Sequence, residues 1–358
     1  MRKLIALLAL GAAPLGAQGL SDASVLGGPQ YVSYKIGLSG AEKTVTQLSV
    51  PIAFVLPVTE RFTVDVSSAW ADSRVSSDGV ESSKISGLTD TQLRGNLSMF
   101  DGSAIFTLGV NIPTGMYKVP DAQQEAAGQI GSDFLLYPVS SMGSGTAMTG
   151  GVAIARSLGD WNLGFGGSFR YSQPFDAYQI QDAVLRFEPG SETRVRVGLD
   201  RAVGDGRISF AGTYSTFTDD KADSTTFATG ARTLAQASLY MPTDNGNDWS
   251  ISVWDLYRAQ GQQIGAVAPS ENIANVNLAY GINVGSAYIQ PSIEGRAWMR
   301  DGEKAGATGT GGLRLRFDAL GMSMNPSVTY TMGNVYPAGS TTSIDVSGIR
   351  ATLLIRVR

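Results

Sequence analysis

Arginine is the residue type most able to carry chemistry in this chain, because it alternates with apolar residues in three short segments. In residues 193–200, Arg194 and Arg196 occupy alternate positions with apolar residues between them, and residues 313–318 and 349–357 repeat the arrangement. Side chains alternate between the two faces of a β-strand, so these arginines collect on one face. Rings of arginine attract anions, and the pattern therefore predicts anion binding along a strand-built surface.

Other kinds of chemistry are poorly represented. The chain contains neither histidine nor cysteine, which excludes a Ser-His-Asp triad, a Cys-His nucleophile and an ordinary zinc site. The nearby carboxylates of Asp219 with Asp220, and of Asp244 with Asp248, have the composition of turns. We therefore expect no enzyme activity and no cofactor, and the net charge of −4 argues against nucleic-acid binding.

The elements that would position the arginines are β-strands. Residues 161–171 place aromatic and apolar side chains at odd positions and polar ones between them, and about nine to eleven such residues cross a bilayer as a tilted strand. The sequence predicts an all-β, transmembrane antiparallel up-and-down barrel of sixteen strands, with fourteen as the alternative. The predicted strands are 31–38, 44–56, 61–71, 88–99, 103–112, 147–158, 161–172, 191–201, 206–217, 231–241, 248–258, 273–283, 286–299, 308–317, 320–332 and 345–357.

The links between these strands are predicted to alternate between tight turns and longer polar loops. Gly159-Asp160 and Gly285-Ser286 exemplify the tight turns. Outer-membrane barrels have short periplasmic turns and long extracellular loops, so the alternation predicts both chain ends on the periplasmic side. The predicted long loops are 72–87, 113–146, 173–190, 218–230, 259–272, 300–307 and 333–344.

Lipid exposure predicts which face the arginines occupy. An arginine facing lipid at mid-bilayer costs about 2–4 kcal/mol, whereas one facing the lumen meets water or partners. We expect an anion-attracting lumen, with pairing of each arginine to an acidic residue as the structural alternative. The predicted selectivity residues are Arg94, Arg170, Arg194, Arg196, Arg207, Arg232, Arg296, Arg314, Arg316 and Arg350.

The longest predicted loop, residues 113–146, carries the apolar residues Phe134, Leu135, Leu136 and Tyr137. An ordinary solvated loop would be more polar, and loops longer than about 12 to 15 residues are usually functional or disordered. We expect this loop to fold inward and constrict the lumen. The alternatives are packing against neighbouring loops and an extracellular contact surface.

The N-terminus has the order of an export signal. Two basic residues follow Met1, an apolar run covers residues 4–13, and small residues end the segment at 17–19. We predict a signal peptide at 1–19 and a single barrel domain at 20–358. Export implies the bacterial outer membrane, with its lipids and the barrel-assembly machinery as expected partners, and leaves the oligomeric state open.

Several short motifs resemble a known family. They are Ser86-Gly87-Leu88-Thr89-Asp90-Thr91, Val110-Asn111-Ile112-Pro113-Thr114-Gly115, Gly143-Ser144-Gly145 and Ala155-Arg156-Ser157-Leu158-Gly159-Asp160-Trp161. Together they resemble the outer-membrane family described as a phenol-degradation, meta-pathway protein, over roughly residues 85 to 172. The resemblance implies a barrel related to transporters of aromatic or other hydrophobic compounds, and it supplies no catalytic residues. The chain departs from neighbouring families in lacking an Asn-Pro-Ala start and in ending at Arg358 instead of phenylalanine.

Two functions follow as hypotheses. The first is a channel or facilitator for passive uptake of small solutes, either anionic or aromatic and hydrophobic. The second is a closed structural or surface-interaction barrel with no transport role, its lumen filled by ion pairs. A continuous path through the lumen would favour the first hypothesis over the second.

Overall fold

A computed structural model of the chain describes residues 23–38, 41–180, 183–263 and 266–357. The predicted signal peptide, residues 1–19, lies outside the described residues. Strands make up most of the described chain, which also contains a 3-10 helix, Asp121–Gln123, and one α-helix, α1, Gln124–Ile130. No helix in these described ranges is long and apolar enough to cross a membrane.

Eighteen strand segments form one antiparallel sheet that closes on itself. They are β1 (Ser24–Gly27), β2 (Gln30–Leu38), β3 (Ala41–Pro57), β4 (Phe62–Ser77), β5 (Val80–Leu88), β6 (Thr91–Met99), β7 (Ala104–Ile112), β9 (Ala147–Leu158), β10 (Trp161–Ser172), β13 (Glu192–Val203), β14 (Gly206–Phe217), β17 (Arg232–Pro242), β18 (Asp248–Arg258), β21 (Glu271–Val284), β22 (Ala287–Arg300), β23 (Glu303–Ala319), β24 (Met322–Val335) and β25 (Ile344–Val357). The short strands outside the barrel are β8 (Val119–Pro120), β11 (Phe175–Ile180), β12 (Ala183–Glu188), β15 (Asp220–Ala222), β16 (Thr225–Phe227), β19 (Gly261–Gln263) and β20 (Ala266–Ala268).

The eighteen segments make sixteen barrel strands. Segments β1 and β2 both lie between β3 and β25, so they are one strand interrupted at Gly28-Pro29. Segments β5 and β6 both pair with β4, so they are one strand interrupted at Thr89-Asp90. Pairing of β25 with both β24 and the first strand closes the ring. The predicted sixteen-stranded antiparallel barrel is confirmed.

Two predicted extracellular loops, 72–87 and 300–307, are wrong. Strand β4 continues to Ser77 and β5 begins at Val80, and β22 and β23 are separated only by Asp301-Gly302. Asp78-Gly79 and Asp301-Gly302 have positive φ at both positions, which is the requirement of a type I′ hairpin turn. The extra strand residues are polar like a loop because they extend beyond the apolar band.

Three other outer links contain paired strands of their own. The loop after β10 holds the hairpin β11–β12, the loop after β14 holds β15–β16, and the loop after β18 holds β19–β20. Strand β8 adds to β11, and β15 adds to β12, so a small five-stranded sheet covers part of the outer end. These three outer connections are thus more ordered than the polar loops that were predicted.

Cross-strand register identifies the two faces of the barrel wall, because directly opposed residues project from the same face. On one face of the wall, Phe165 lies opposite Val197 and Ile154. On the other face, Ser168 lies opposite Arg194. The face with Phe165 bears large apolar side chains that are exposed in the isolated chain, as expected of a lipid-facing surface. The opposite face therefore lines the lumen.

The barrel wall is taller on one side. The uninterrupted strands β3, β4 and β21 to β25 contain 14 to 17 residues, whereas the barrel strands β9, β10, β13, β14, β17 and β18 contain 11 or 12. At about 3.3 Å per residue, the difference of two to six residues adds roughly 7 to 20 Å along a strand. We call β21 to β25 with β2 to β5 the tall wall, and the barrel segments β6, β7, β9, β10, β13, β14, β17 and β18 the short wall.

Substitution of a lumenal glycine in the tall wall tests how closely strands β25 and β2 pack. Gly348 lies opposite Tyr34, and a Cβ at Gly348 would overlap the Tyr34 ring and lie 2.7 Å from the Ser33 carbonyl oxygen. We expect Gly348→Ala to destabilise the folded barrel by about 1–3 kcal/mol, measured as a lower urea midpoint in lipid vesicles. Gly309→Ala is the control, because a Cβ there meets nothing within 4 Å; equal midpoints for the two variants would contradict the packing.

Candidate functional site

The loop of residues 113–146 enters the barrel from the outer end and packs against the tall wall. Its residues Phe134, Leu135, Tyr137 and Val139 are each 7% exposed or less. They form one buried cluster with lumenal side chains of the tall wall. Of the four residues predicted to constrict the lumen, Leu136 is the exception, because 37% of it remains exposed.

Aromatic contacts join the tip of this loop to two separate strands. The ring of Phe134 stacks on Trp298 of β22, with ring centroids 5.2 Å apart. The ring of Tyr137 meets Tyr34 of β2 edge-on at 5.6 Å, and the Tyr34 hydroxyl donates a hydrogen bond to the Leu135 carbonyl at 3.2 Å. Burial raises the pKa of the Tyr137 phenol, so this side chain stays neutral at any physiological pH.

Polar side chains of the tall wall bind the backbone of the loop. Arg296 donates to the Phe134 carbonyl, and Arg350 donates to the Leu136 carbonyl. Gln47 is fully buried; its amide nitrogen donates to the Val139 carbonyl at 2.8 Å and its amide oxygen accepts from the Val139 N–H at 2.9 Å. A β-ladder residue would make the same pair of bonds, so Gln47 holds Val139 as a strand would.

The first half of the loop is bound to the outer end of the tall wall. Lys43 forms an ion pair with Glu125 of α1 at 2.6 Å, and Ser83 donates to the Ala122 carbonyl at 2.8 Å. The Lys43 ammonium and then the Ser82 hydroxyl stabilise the Glu125 carboxylate and lower its pKa. Helix α1 is therefore attached by this ion pair together with burial of its Ala126 and Ile130.

Both ends of the loop meet at one buried carboxylate, that of Asp90. Asp90 lies in the interruption between β5 and β6 and is 9% exposed. Its carboxylate accepts hydrogen bonds from the Ser144 N–H at 2.7 Å, the Asn111 amide at 2.8 Å and the Gly115 N–H at 3.2 Å. Asn111 also donates to the Gly145 carbonyl at 2.6 Å. One side chain thus fixes where the loop leaves the barrel and where it returns.

Asp90 was not among the residues predicted for the site, although it lies within the family-like motifs. Three of those motifs, Ser86–Thr91, Val110–Gly115 and Gly143–Gly145, meet at this carboxylate. Gly115 is required there, because a Cβ would overlap the backbone of residues 89, 90 and 142. The spacing of the motifs was therefore the available signal for an anchor of the loop.

The opposite side of the lumen holds an open cavity of about 540 Å³. Its lining is mostly small or polar, and no aromatic side chain lies among the described lining residues. The four arginines at the cavity come from three strands of the short wall, and Glu192 is the acidic residue among them. The charged lining residues are Arg94, Arg170, Arg194, Arg196 and Glu192.

All ten arginines predicted to face the lumen lie on the lumenal face by cross-strand register. Three of them, Arg94, Arg170 and Arg196, have neither a hydrogen bond nor an ion pair with another described residue, and all three line the cavity.

The other seven have partners. They comprise Arg194 with Glu192 at 2.7 Å, Arg207 with Asp200 at 2.7 Å, Arg296 with Glu294 at 2.6 Å, Arg314 with Gln290 at 3.4 Å, Arg316 over the Tyr288 ring at 4.7 Å, Arg232 over the Phe217 ring at 5.5 Å, and Arg350 with loop carbonyls. Structural pairing, the alternative weighed from the sequence, thus applies to some of these arginines and leaves the three at the cavity unneutralised.

Comparisons with solved structures find similar chains at low sequence identity. The chain is similar to OprB of Pseudomonas putida, at 12% identity over 93% of this chain and 94% of OprB, with a TM-score of 0.47. It is also similar to an outer membrane channel from Pseudomonas putida F1, at 13% identity over 96% of this chain and 99% of that chain, with a TM-score of 0.38. A mutant of the porin of Rh. blastica matches at 13% identity over 92% of this chain and 99% of that one, with a TM-score of 0.38.

These similarities concern the fold alone. No protein-family model matches the chain, and no curated protein sequence matches it. The resemblance to the phenol-degradation family therefore stays a resemblance of short motifs. Within the described ranges, no group of three or more carboxylates is placed to hold a metal ion.

Replacing Asp90 should loosen the loop. Asp90→Asn keeps the size of the side chain but turns one acceptor into a donor, which leaves buried N–H groups unsatisfied at about 1–3 kcal/mol. We expect faster hydrogen exchange throughout residues 113–146 than in the wild type. Asp101→Asn in an exposed turn, where φ is 53°, is the matched control, and indistinguishable exchange in the two variants would contradict an anchoring role.

Acidification should loosen the attachment of α1 to the tall wall. The folded pKa of Glu125 is lowered, so its ion pair is present above the ordinary carboxyl pKa and is lost as pH falls through the folded value. After correction for intrinsic rates, we expect amide exchange in Gln124–Ile130 to rise as the pH falls below the ordinary range of a glutamate carboxyl. Glu125→Gln should exchange rapidly at neutral pH with no acid step; a persisting acid step would assign the transition to another group.

Proposed function

We propose that this protein is an outer-membrane channel for passive uptake of small anionic solutes. The solute passes between the loop of residues 113–146 on the tall wall and the arginine-lined cavity on the short wall. The unpaired guanidinium groups of Arg94, Arg170 and Arg196 around one cavity are the single observation that carries the proposal.

Electrostatics favour anions over cations at this place. An anion about 4 Å from one guanidinium gains about 1 kcal/mol in bulk water and about 4 kcal/mol at an effective dielectric constant of 20. A neighbouring carboxylate would offset this gain, but Glu192 already pairs with Arg194. The three remaining positive charges therefore act together on a passing ion, and each factor of ten in selectivity needs only about 1.4 kcal/mol.

The character of the cavity favours polar anions over aromatic or hydrophobic solutes. Between the charged residues its wall is mainly glycine, alanine, serine, threonine and side-chain amides, with Leu93, Val110 and Val152 as the larger apolar residues. Aromatic solutes are usually bound by apolar and aromatic side chains. Two aromatic residues of the lumenal face, Trp298 and Tyr34, lie on the tall wall and are covered by the loop.

The loop supports a constricting role because it is fixed mainly on the tall wall while the cavity side of the short wall stays uncovered. Residues Phe134, Leu135 and Tyr137 fill one side of the lumen. The width left for a solute is then set by the position of this loop, and its charge preference is set by the opposite wall.

Planar-bilayer conductance in a salt gradient tests the charge preference. We expect the triple variant Arg94→Gln, Arg170→Gln and Arg196→Gln to lose most of the anion preference, with at least a threefold fall in the anion-to-cation permeability ratio. The physical reason is removal of the three cavity arginines that form no hydrogen bond or ion pair with another described residue. The reversal potential is the direct measurement.

The matched control removes three positive charges outside the lumen, by changing Lys35, Arg61 and Arg156 to Gln. This control should keep the wild-type reversal potential. An unchanged reversal potential in the lumenal variant would remove the proposed role of its arginines. A folded wild-type protein with no conductance and no solute uptake in vesicles would reject the channel and favour the closed barrel.

A further inference from the structure

A row of arginines leads from the cavity along the outer mouth of the lumen to the tip of the loop. On the lumenal face, Arg194 lies opposite Ser215, Ser215 opposite Arg232, and Arg232 opposite Arg258. Three interstrand spacings separate the first arginine from the last, or about 14 Å. We call Arg194, Arg232 and Arg258 the arginine row.

The far end of the arginine row is occupied by a carboxylate from the loop. Arg258 forms an ion pair with Asp133, which immediately precedes the constricting residues, and a second ion pair with Glu271 of the wall at 2.9 Å. Asp133 is also within electrostatic reach of Arg232. Asp133 is presented by a tight turn, in which the Leu136 N–H donates to the Ser132 carbonyl at 3.1 Å.

Charge balance at the arginine row depends on Asp133. The wall itself contributes three guanidinium groups and two carboxylates, those of Glu192 and Glu271. The loop carboxylate supplies the third negative charge. If Asp133 leaves, the row is left with a net positive charge and with donor groups of Arg258 facing the lumen, and a carboxylate of a solute is the chemical equivalent that can replace it.

The tip that carries Asp133 is under backbone strain. Leu136 has φ of 54°, a left-handed conformation that is unfavourable for a bulky side chain. This conformation is held by the contacts of the tip with the wall, including the bond from Arg350 to the Leu136 carbonyl. Release of Asp133 would let the tip relax, so part of the cost of moving it is offset.

We propose that the arginine row is a binding site for the carboxylate of a small carboxylic-acid solute, and that Asp133 occupies this site as a tethered ligand. The proposal rests on the proposed anion channel and adds to it the class of solute and a means of opening. A solute carboxylate exchanges with Asp133 at Arg258, the tip of the loop moves away, and the constriction widens only when a suitable solute is present.

Hydrogen exchange of residues 132–137 tests the displacement independently of transport. With succinate as the probe at millimolar concentration, we expect exchange in these residues of the wild type to increase several-fold. Asp133→Asn should show the fast exchange without succinate and no further response. Asp133→Glu restores the carboxylate and should restore the response.

Asp121→Asn is the matched control, because it removes the same charge from the same loop away from the arginine row. Sodium chloride at equal ionic strength separates carboxylate binding from screening. Inorganic phosphate separates carboxylates from other oxyanions: an equal response to phosphate would overturn the assignment of solute class, and an absent response supports it.

Conductance of the same variants separates this proposal from the channel function. Asp133→Asn should conduct at the widened level at all times, whereas the wild type should reach that level more often when succinate is added. Anion-selective conductance with no effect of succinate or of Asp133→Asn on the loop would overturn the tethered ligand and leave the channel standing. If succinate moved the loop of a barrel that never conducts, the tethered ligand would stand and the channel function would be rejected.

Discussion

The exclusion of charge from the hydrocarbon core is the constraint on which the rest of this structure depends. A charged side chain on the lipid face costs about 2–4 kcal/mol at mid-bilayer, so at that depth an alternating strand favours placing its arginines inward. Arg194 and Arg196 face the lumen while Val195 and Val197 face outward, and the same holds for every arginine predicted to be lumenal. Closure of sixteen strands then gathers these separate local patterns around one space.

The lumenal side chains of the tall wall determine what this space contains. They are apolar or hydrogen-bonding, and the loop of residues 113–146 buries its apolar tip against them. Asp90 keeps both ends of that loop together, and Gln47 pairs with its returning segment. No residue of this loop is among the described residues that line the cavity, so Arg94, Arg170, Arg194 and Arg196 remain next to open space.

Much of the fold was predictable because its causes are local. Alternation, tight Gly-containing turns and the cost of lipid-facing charge operate over a few residues, and they predicted sixteen strands and the lumenal face. Residues 72–87 were predicted as a loop because a strand that extends beyond the apolar band loses its apolar face. Which arginines bind the loop could not be predicted, because the answer depends on where a segment distant in sequence docks. Arg350 meets Leu136 across 214 residues.

The way in which the loop is held also limits how far it neutralises the lumenal arginines. Arg350 binds the loop through carbonyl oxygens, which accept hydrogen bonds without cancelling its charge. Gln47 and Tyr34 likewise hold the tip through neutral groups. A loop attached entirely by carboxylates would have neutralised the arginines it touches. Because most of the attachment is uncharged, docking of the loop leaves most of these charges in place, and charge compensation by the tip is concentrated in the single carboxylate of Asp133.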